Sequence, residues 1–278
     1  MSPVFWMICS SFLFAFLGVF VKTLRIIPLS EIIFFRAMIN FLILSPWFLK
    51  NNPFQYKENY KFVLLRSLSG LLGMFLYFYA LENLKLADAV MLNYSSPVPT
   101  LLLSAIFLNE KLTRKSLLFL LVAIVGMAMI VKPDMQYESL AGIAGFASAF
   151  VAAVAYVSIR AASKSVSTVF IVLSFAGISA LISGLFMIPE FVMPNEHQWL
   201  LILGMGSVAT LAQVSMTTAY AGLPVSSISP FMLTTPIFSA IFGYIFWKEV
   251  PDLCSVLGAA LIAFGLFAAH RTRASKSH

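Results

Sequence analysis

Long apolar blocks alternate along this chain with short charged or Pro/Asn-rich clusters. A membrane-spanning helix needs about 20 mostly apolar residues, and the clusters divide the chain into ten such runs: 3–22, 31–49, 62–82, 86–108, 115–132, 140–159, 169–188, 197–219, 225–247 and 252–270. The connections are short, so no soluble domain is expected on either face. The first run has no Lys or Arg before it and no small-residue cleavage site after it, which predicts a first membrane span in place of a secretory signal. The expected fold class is an all-α membrane protein of ten transmembrane helices.

The fourth run breaks its own pattern. Between Leu86 and Leu108 stands NYSSPVP, Asn93 to Pro99, with two prolines and four polar side chains in otherwise apolar sequence. A shift of 139 residues lays this stretch over a second copy: Ser95-Ser96-Pro97 falls on Thr234-Thr235-Pro236, Glu110 on Glu249, Ala80 on Ala219 and Gly126 on Gly265. The chain therefore reads as two tandem repeats, 1–135 and 136–278. Each repeat holds five spans, an odd number, so the second must enter the membrane from the opposite side. Inverted repeats with helices interrupted at matching positions are the usual build of secondary transporters, whose solute site lies near the bilayer midplane. Pro97 and Pro236 each delete a backbone N–H, which predicts unpaired carbonyls at Asn93 and Met232 facing a wet cavity. The alternative is two simple kinks.

Composition and charge narrow the class further. Hydrophobic residues make up 60% of the 278 positions and charged residues 10%, against roughly 25% charged in ordinary soluble domains. The net charge of +7 is a topology signal. Lys50, Lys57, Lys61, Lys111, Arg114, Lys115, Arg160, Lys164, Arg271, Arg273 and Lys276 fall on one side of the ten-span layout. Only Lys22, Arg25, Lys85, Lys132 and Lys248 fall on the other. The positive-inside rule then predicts cytoplasmic N- and C-termini, with the bacterial inner membrane as the location. Nucleic acid is not an expected partner. The two cysteines lie in the first and last spans and read as packing residues.

Polar residues at midplane depth are the candidate solute contacts. They are Tyr79, Asn93, Tyr94, Ser96, Tyr156, Gln213, Tyr220, Thr234 and Thr235, with Ser10, Ser11 and Tyr77 at similar depth. Any one of them is more often a helix–helix hydrogen bond than a ligand contact; their convergence carries the hypothesis. Arg36 and Arg66 are the basic residues well inside spans, each roughly 7 Å from its nearer helix end at 1.5 Å per residue, and from opposite membrane faces. That depth predicts that one small solute group does not touch both. It suggests gate ion pairs instead, Arg36 with Glu82 or Asp88 outside and Arg66 with Glu110 inside. Snorkelling to headgroups is the competing reading for both arginines.

The stretch FYALENLKLADAVMLNYSSPVPTLLLSAIFLNEKL and its copy AYAGLPVSSISPFMLTTPIFSAIFGYIFWKEVP resemble the EamA domain of the drug/metabolite transporter superfamily, in tandem over essentially the whole chain. The resemblance implies a ten-helix bundle around a central cavity formed mainly by helices 1, 3, 4, 6, 8 and 9, opening alternately to each side. FFRA in the second span and LLRSLSGLLGM in the third look similar to the branch holding uptake carriers for S-adenosylmethionine and riboflavin-like metabolites, a pattern that amino-acid exporters largely share. The copies differ after Glu110 and Glu249, where Val250-Pro251-Asp252 replaces the basic cluster, and this difference favours one insertion orientation.

The expected function is a secondary transporter of a small amino-acid-like or S-adenosylmethionine-like solute by alternating access. The alternatives are an exporter of drugs or toxic metabolites and a channel-like facilitator. No Gly-rich phosphate loop, metal-ligand spacing or catalytic cluster is present in the sequence, so neither an enzyme nor a cofactor is expected. The expected partners are a small-molecule solute and membrane lipid, with a homodimer left open.

Overall fold

The computed structural model describes residues 2–24, 26–49, 60–83, 92–110, 114–131, 140–248 and 253–274. Among these the α-helices are α1 (Pro3–Thr23), α2 (Leu29–Leu44), α3 (Tyr60–Asn83), α4 (Pro97–Leu108), α5 (Arg114–Val131), α6 (Leu140–Ala162), α7 (Thr168–Met187), α8 (Glu196–Gly222), the single turn α9 (Val225–Ile228), α10 (Thr235–Trp247) and α11 (Leu253–Ala274). Among the described residues seven helical segments are long and apolar enough to cross a membrane, and Leu92–Leu108, Leu117–Met129 and Val256–Gly265 are shorter apolar helices. The protein is an integral, multi-pass, all-helical membrane protein.

Helix starts are written locally. The Ser2 hydroxyl accepts the Phe5 N–H ahead of Pro3, which needs no donor at a first-turn position. Ser167 does the same for Phe170, and Asn195 with Gln198 closes a reciprocal capping box at α8. Pro46 ends α2 by removing the next ladder donor, and the chain tightens into a 3-10 turn over Ser45–Leu49.

The outer surface is apolar and the inner seams are small. On α6, Ile143, Phe146 and Phe150 are exposed toward lipid, whereas Ala141, Ala144, Ser148, Ala149 and Ala153 are buried. Small residues allow helix backbones to approach closely where lipid supplies no hydrophobic drive for association. Ser10 and Ser11 add hydrogen bonds from α1 to the carbonyls of Ala212 (3.0 Å) and Phe231 (3.4 Å).

The principal helix pairs are α3 with α6, α1 with α8, α5 with α11, α2 with α7, α2 with α8, α3 with α7, α1 with α10 and α4 with α6. The 139-residue shift maps α5–α11 and α2–α7 onto themselves and turns each other pair into another member of the same set. Its sharpest instance is the α5–α11 contact. A Cβ on Gly126 would stand 2.5 Å from the Gly258 carbonyl oxygen, and one on Gly265 would stand 2.8 Å from that of Phe119. Both neighbours are backbone and cannot rotate away. Gly126→Ala is therefore expected to destabilise by about 1–3 kcal/mol, the usual range for overpacking a tight seam. A thermal-unfolding midpoint in detergent unchanged from wild type would contradict this close approach.

The interrupted helices carry the one fold-level correction. Asn93–Ser96 forms a turn and α4 proper begins at Pro97; in the second copy α9 leads into a 3-10 segment, Ser229–Thr234, and α10 begins at Thr235. The carbonyls expected to be orphaned by Pro97 and Pro236 are paired. Asn93 accepts from the Ser96 N–H at 3.1 Å, and Met232 accepts from the Thr235 N–H. The reason is local: an i→i+3 bond uses a donor before the proline, so 3-10 tightening satisfies the acceptor that an α-ladder would leave empty. The hydroxyls repeat as well, Ser95 donating to the Leu92 carbonyl at 2.6 Å and Thr234 to that of Phe231 at 2.7 Å. Both helices then end on a left-handed residue, Asn109 (φ 54°) and Lys248 (φ 58°), again 139 apart.

Candidate functional site

The two interrupted segments meet at one cavity of about 820 Å³. Its walls come from α1, α2, α3, α6, α7, α8 and α10 together with Asn93, Tyr94 and Met232 from the two breaks. At one end it reaches Lys22, Ile26, Pro28 and Trp247, and Ile26 is 80% exposed there. At the other end it stops at Tyr156, Gln213, Met216 and Met232. One turn beyond Met216, Tyr220 is fully buried. It stacks on Tyr156 with ring centroids 5.1 Å apart and directs its hydroxyl at the Met232 sulfur, 2.9 Å away. These rings floor the cavity.

Beneath the floor the chain is closed by backbone contacts. Glu110 accepts the backbone N–H groups of Val225 and Ser226, both at 2.9 Å, one with each carboxylate oxygen. The Arg160 guanidinium donates to the carbonyls of Tyr220 and Ala221 at the end of α8. This assigns Glu110 a different partner from the expected one. It binds the main chain at the start of α9, whereas Arg66 points into the cavity.

Of the remaining candidates, Asn93, Tyr94, Tyr156 and Gln213 line the cavity. Asn93 donates to the Ser148 hydroxyl at 3.0 Å. Ser96 and Thr235 are buried just behind the wall, Ser96 beside Tyr156 and Thr235 beside Tyr94. Each break thus sets a hydroxyl residue beside an aromatic wall residue. Thr234 spends its hydroxyl on its own turn.

Tyr79 does not reach the cavity. It is 40% exposed, and Tyr77 lines the wall in its stead. Two residues are about 200° of helix rotation, so only one of the pair can face inward. The inward face of α3 runs Arg66, Gly70, Gly73, Met74, Tyr77 and Phe78, and counting helical turns from Arg66 would have selected Tyr77. Phe175 and Met74 are wall residues that the polarity search missed, because they are apolar.

The arginines depart furthest from expectation. Arg36 and Arg66 line the same cavity. Arg36 donates from Nη1 to the Met74 sulfur at 2.8 Å. Arg66, 3% exposed, donates from Nη2 to Gln213 Oε1 at 3.3 Å and lies 4.2 Å over the Phe175 ring; its Nε has no partner. A long side chain reaches several ångströms from its backbone, and here both reach inward from their helix ends. Asp88 and the Glu82 side chain, the expected partners of Arg36, lie outside the described residues. So does Glu249, the repeat mate of Glu110.

The arrangement can hold a solute among aromatic walls, with amide, hydroxyl and guanidinium donors. Among the described residues no group of three or more His, Cys, Asp or Glu side chains could hold a metal ion.

Comparison with known proteins agrees with this architecture. The chain is 33% identical over 275 residues to the pseudopaline exporter CntI of Pseudomonas aeruginosa, spanning 98% of this chain and 97% of that one. It is 25% identical over 240 residues to an S-adenosylmethionine uptake transporter of Rickettsia bellii, spanning 84% and 80% respectively. A crystal structure with 17% identity superposes with a TM-score of 0.82 over 96% of both chains, a likeness of fold. The EamA-like transporter family model matches twice, over residues 1–132 and 139–270. The chain belongs to the EamA-like transporter family.

Proposed function

We propose that this protein is a secondary carrier of the inner membrane, moving a small metabolite by alternating access between two inverted repeats of five helices. The observation that carries the proposal is the cavity itself. It collects both helix breaks at one site, opens at the Lys22 end and is sealed at the Glu110 end. A continuous pore would be open at both ends; a one-sided cavity of this size suits a solute that is bound, occluded and released.

The exchange of helix pairs under the 139-residue shift supports the second half of the idea. A molecule whose contacts map onto themselves when the repeats are swapped can reach a second state of similar energy by exchanging their conformations. In the proposed orientation the Lys22 end is extracytoplasmic and the Glu110 end cytoplasmic. The similarity to an exporter over nearly the whole chain favours export as the direction.

Cysteine labelling tests the orientation and the one-sided access together. In intact cells an impermeant maleimide is expected to label Ser239→Cys, on the cavity wall, and Asn195→Cys, at the α8 cap, without permeabilisation. Lys164→Cys, on the exposed turn after α6, should label only after it. Equal labelling of Asn195→Cys and Lys164→Cys from one side would remove the inverted arrangement.

A further inference from the structure

The cavity holds two guanidinium groups, and among the described residues no acid lines it to balance them. The contacts of Arg36 and Arg66 are a thioether sulfur, an amide oxygen and an aromatic face, and among the described residues neither has a carboxylate partner. None of the acidic groups described nearby lines the cavity: Glu190 accepts from Ser30, Glu110 holds the α9 backbone, and Glu31 accepts the Val192 N–H with Oε2 while its buried Oε1 has no hydrogen-bond partner. Thioethers are weak acceptors, so most of the ten N–H donors of two guanidinium groups are available to something that enters the cavity. An ionisable residue at membrane depth is rarely kept without a functional partner.

The placement is ordered. Position 36 repeats at Phe175 and position 74 at Gln213. Arg36 rests on Met74 in one repeat, while Arg66 reaches across to the equivalent pair, Phe175 and Gln213, in the other. Non-equivalent residues thus bring two cations to equivalent places. Their separation follows from α3: the Arg66 Nη1 sits against Gly70 and Arg36 against Met74, four residues on. That is one helical turn, on the order of 6 Å. A Cβ at Gly70 would clash with that guanidinium nitrogen and push the Arg66 side chain out of its present position.

We propose that this pair selects solutes bearing two carboxylates separated by a short chain, one carboxylate on each guanidinium and the connecting chain against Tyr94 and Tyr156. The inference rests on the carrier reading above for its biological meaning, but not for its test. A planar guanidinium pairs with a carboxylate through two parallel hydrogen bonds, which sets both distance and orientation. A phosphate fits less well. Phosphate sites commonly use free N–H groups at helix N-termini, and here the helices that begin at the breaks carry Pro97, Pro99 and Pro236 in their first turns. The cavity supplies side-chain cations and few main-chain donors.

The test is calorimetric titration of the purified full-length protein with glutarate and adipate, monomethyl glutarate, glutaramide and inorganic phosphate. The diacids are expected to bind at least tenfold more tightly than the monoester, with the diamide and phosphate weaker still. Arg36→Gln and Arg66→Gln should each reduce diacid binding to the level of the monoester. Arg36→Lys should recover only part of it, since an ammonium is a point donor. Arg66 is buried and its variant can misfold, so Arg36→Gln, on a half-buried side chain, carries the decision, with gel-filtration monodispersity as the fold control. Equal affinity for diacid, monoester and diamide overturns the proposal. So does a diacid preference that survives both substitutions, or a preference for phosphate. One-sided labelling of Ser239→Cys reads the carrier model independently of any ligand. If that labelling holds while the diacid preference is absent, only the solute class falls; if it fails, binding remains measurable and the carrier model falls alone.

Discussion

Glu110→Ala is expected to open the sealed end of the cavity. The carboxylate holds two backbone N–H groups at 2.9 Å, and hydrogen bonds to a charged acceptor are worth about 1.5–3 kcal/mol each. Glu110 is half-exposed, so water recovers part of that loss. A net change of about 1.5–3 kcal/mol in favour of the other state remains, which is roughly a ten- to hundredfold shift in the population ratio. This one carboxylate joins α4's exit to the start of α9 through two main-chain donors. Spin labels on Arg114→Cys, at the exposed start of α5, and Lys164→Cys, on the exposed turn after α6, should report longer and broader distances in the variant. Glu110→Gln should fall between, because an amide oxygen accepts without the charge. A distance distribution that does not move would show that the seal is held elsewhere, with the Arg160 contacts at the end of α8 as the next candidate.

Gln213→Leu should be the most destabilising change on the cavity wall, and Arg66→Met should repair it. The Gln213 amide oxygen is the acceptor for a guanidinium that is 3% exposed and already has one unpartnered nitrogen. Removing it leaves a second buried donor with no acceptor in a low-dielectric site, at a cost of about 2–3 kcal/mol. Replacing both partners by apolar residues removes the charge with the acceptor, and such exchanges are often close to neutral. The double variant should therefore unfold within a few degrees of wild type, although Gln213→Leu alone unfolds well below it. Additive losses in the cycle would mean that the two side chains are not coupled. The same double variant is expected to lose diacid binding, which separates the stability of the pair from its use.

The sequence alone was sufficient for most of what short-range chemistry sets. Apart from the fourth run, whose first six residues lie outside the described ones, apolar run length and punctuation located the helices to within a few residues, because the bilayer imposes a minimum span and prolines and caps act on their own turn. The NYSSPVP break and its copy were legible for the same reason, and so were the residues at the cavity from Asn93, Tyr94, Tyr156 and Gln213. The expectation of orphaned carbonyls failed within that range, since it assumed an α-ladder where the chain takes a 3-10 turn.

What the sequence could not determine is which side chains meet. Tyr77 and Tyr79 have the same chemistry and similar depth, and only the rotation of α3 in its packing with α6 and α7 turns Tyr77 inward. Arg66 and Gln213 are 147 residues apart and Glu110 and Val225 115; no periodicity encodes such pairings. Depth along an isolated helix placed the arginines near opposite faces, but a guanidinium on a long flexible stem goes where acceptors and space are. Those are supplied by other helices. Spans are therefore a property of the chain, while the two-cation cavity and its seal are properties of the packed bundle.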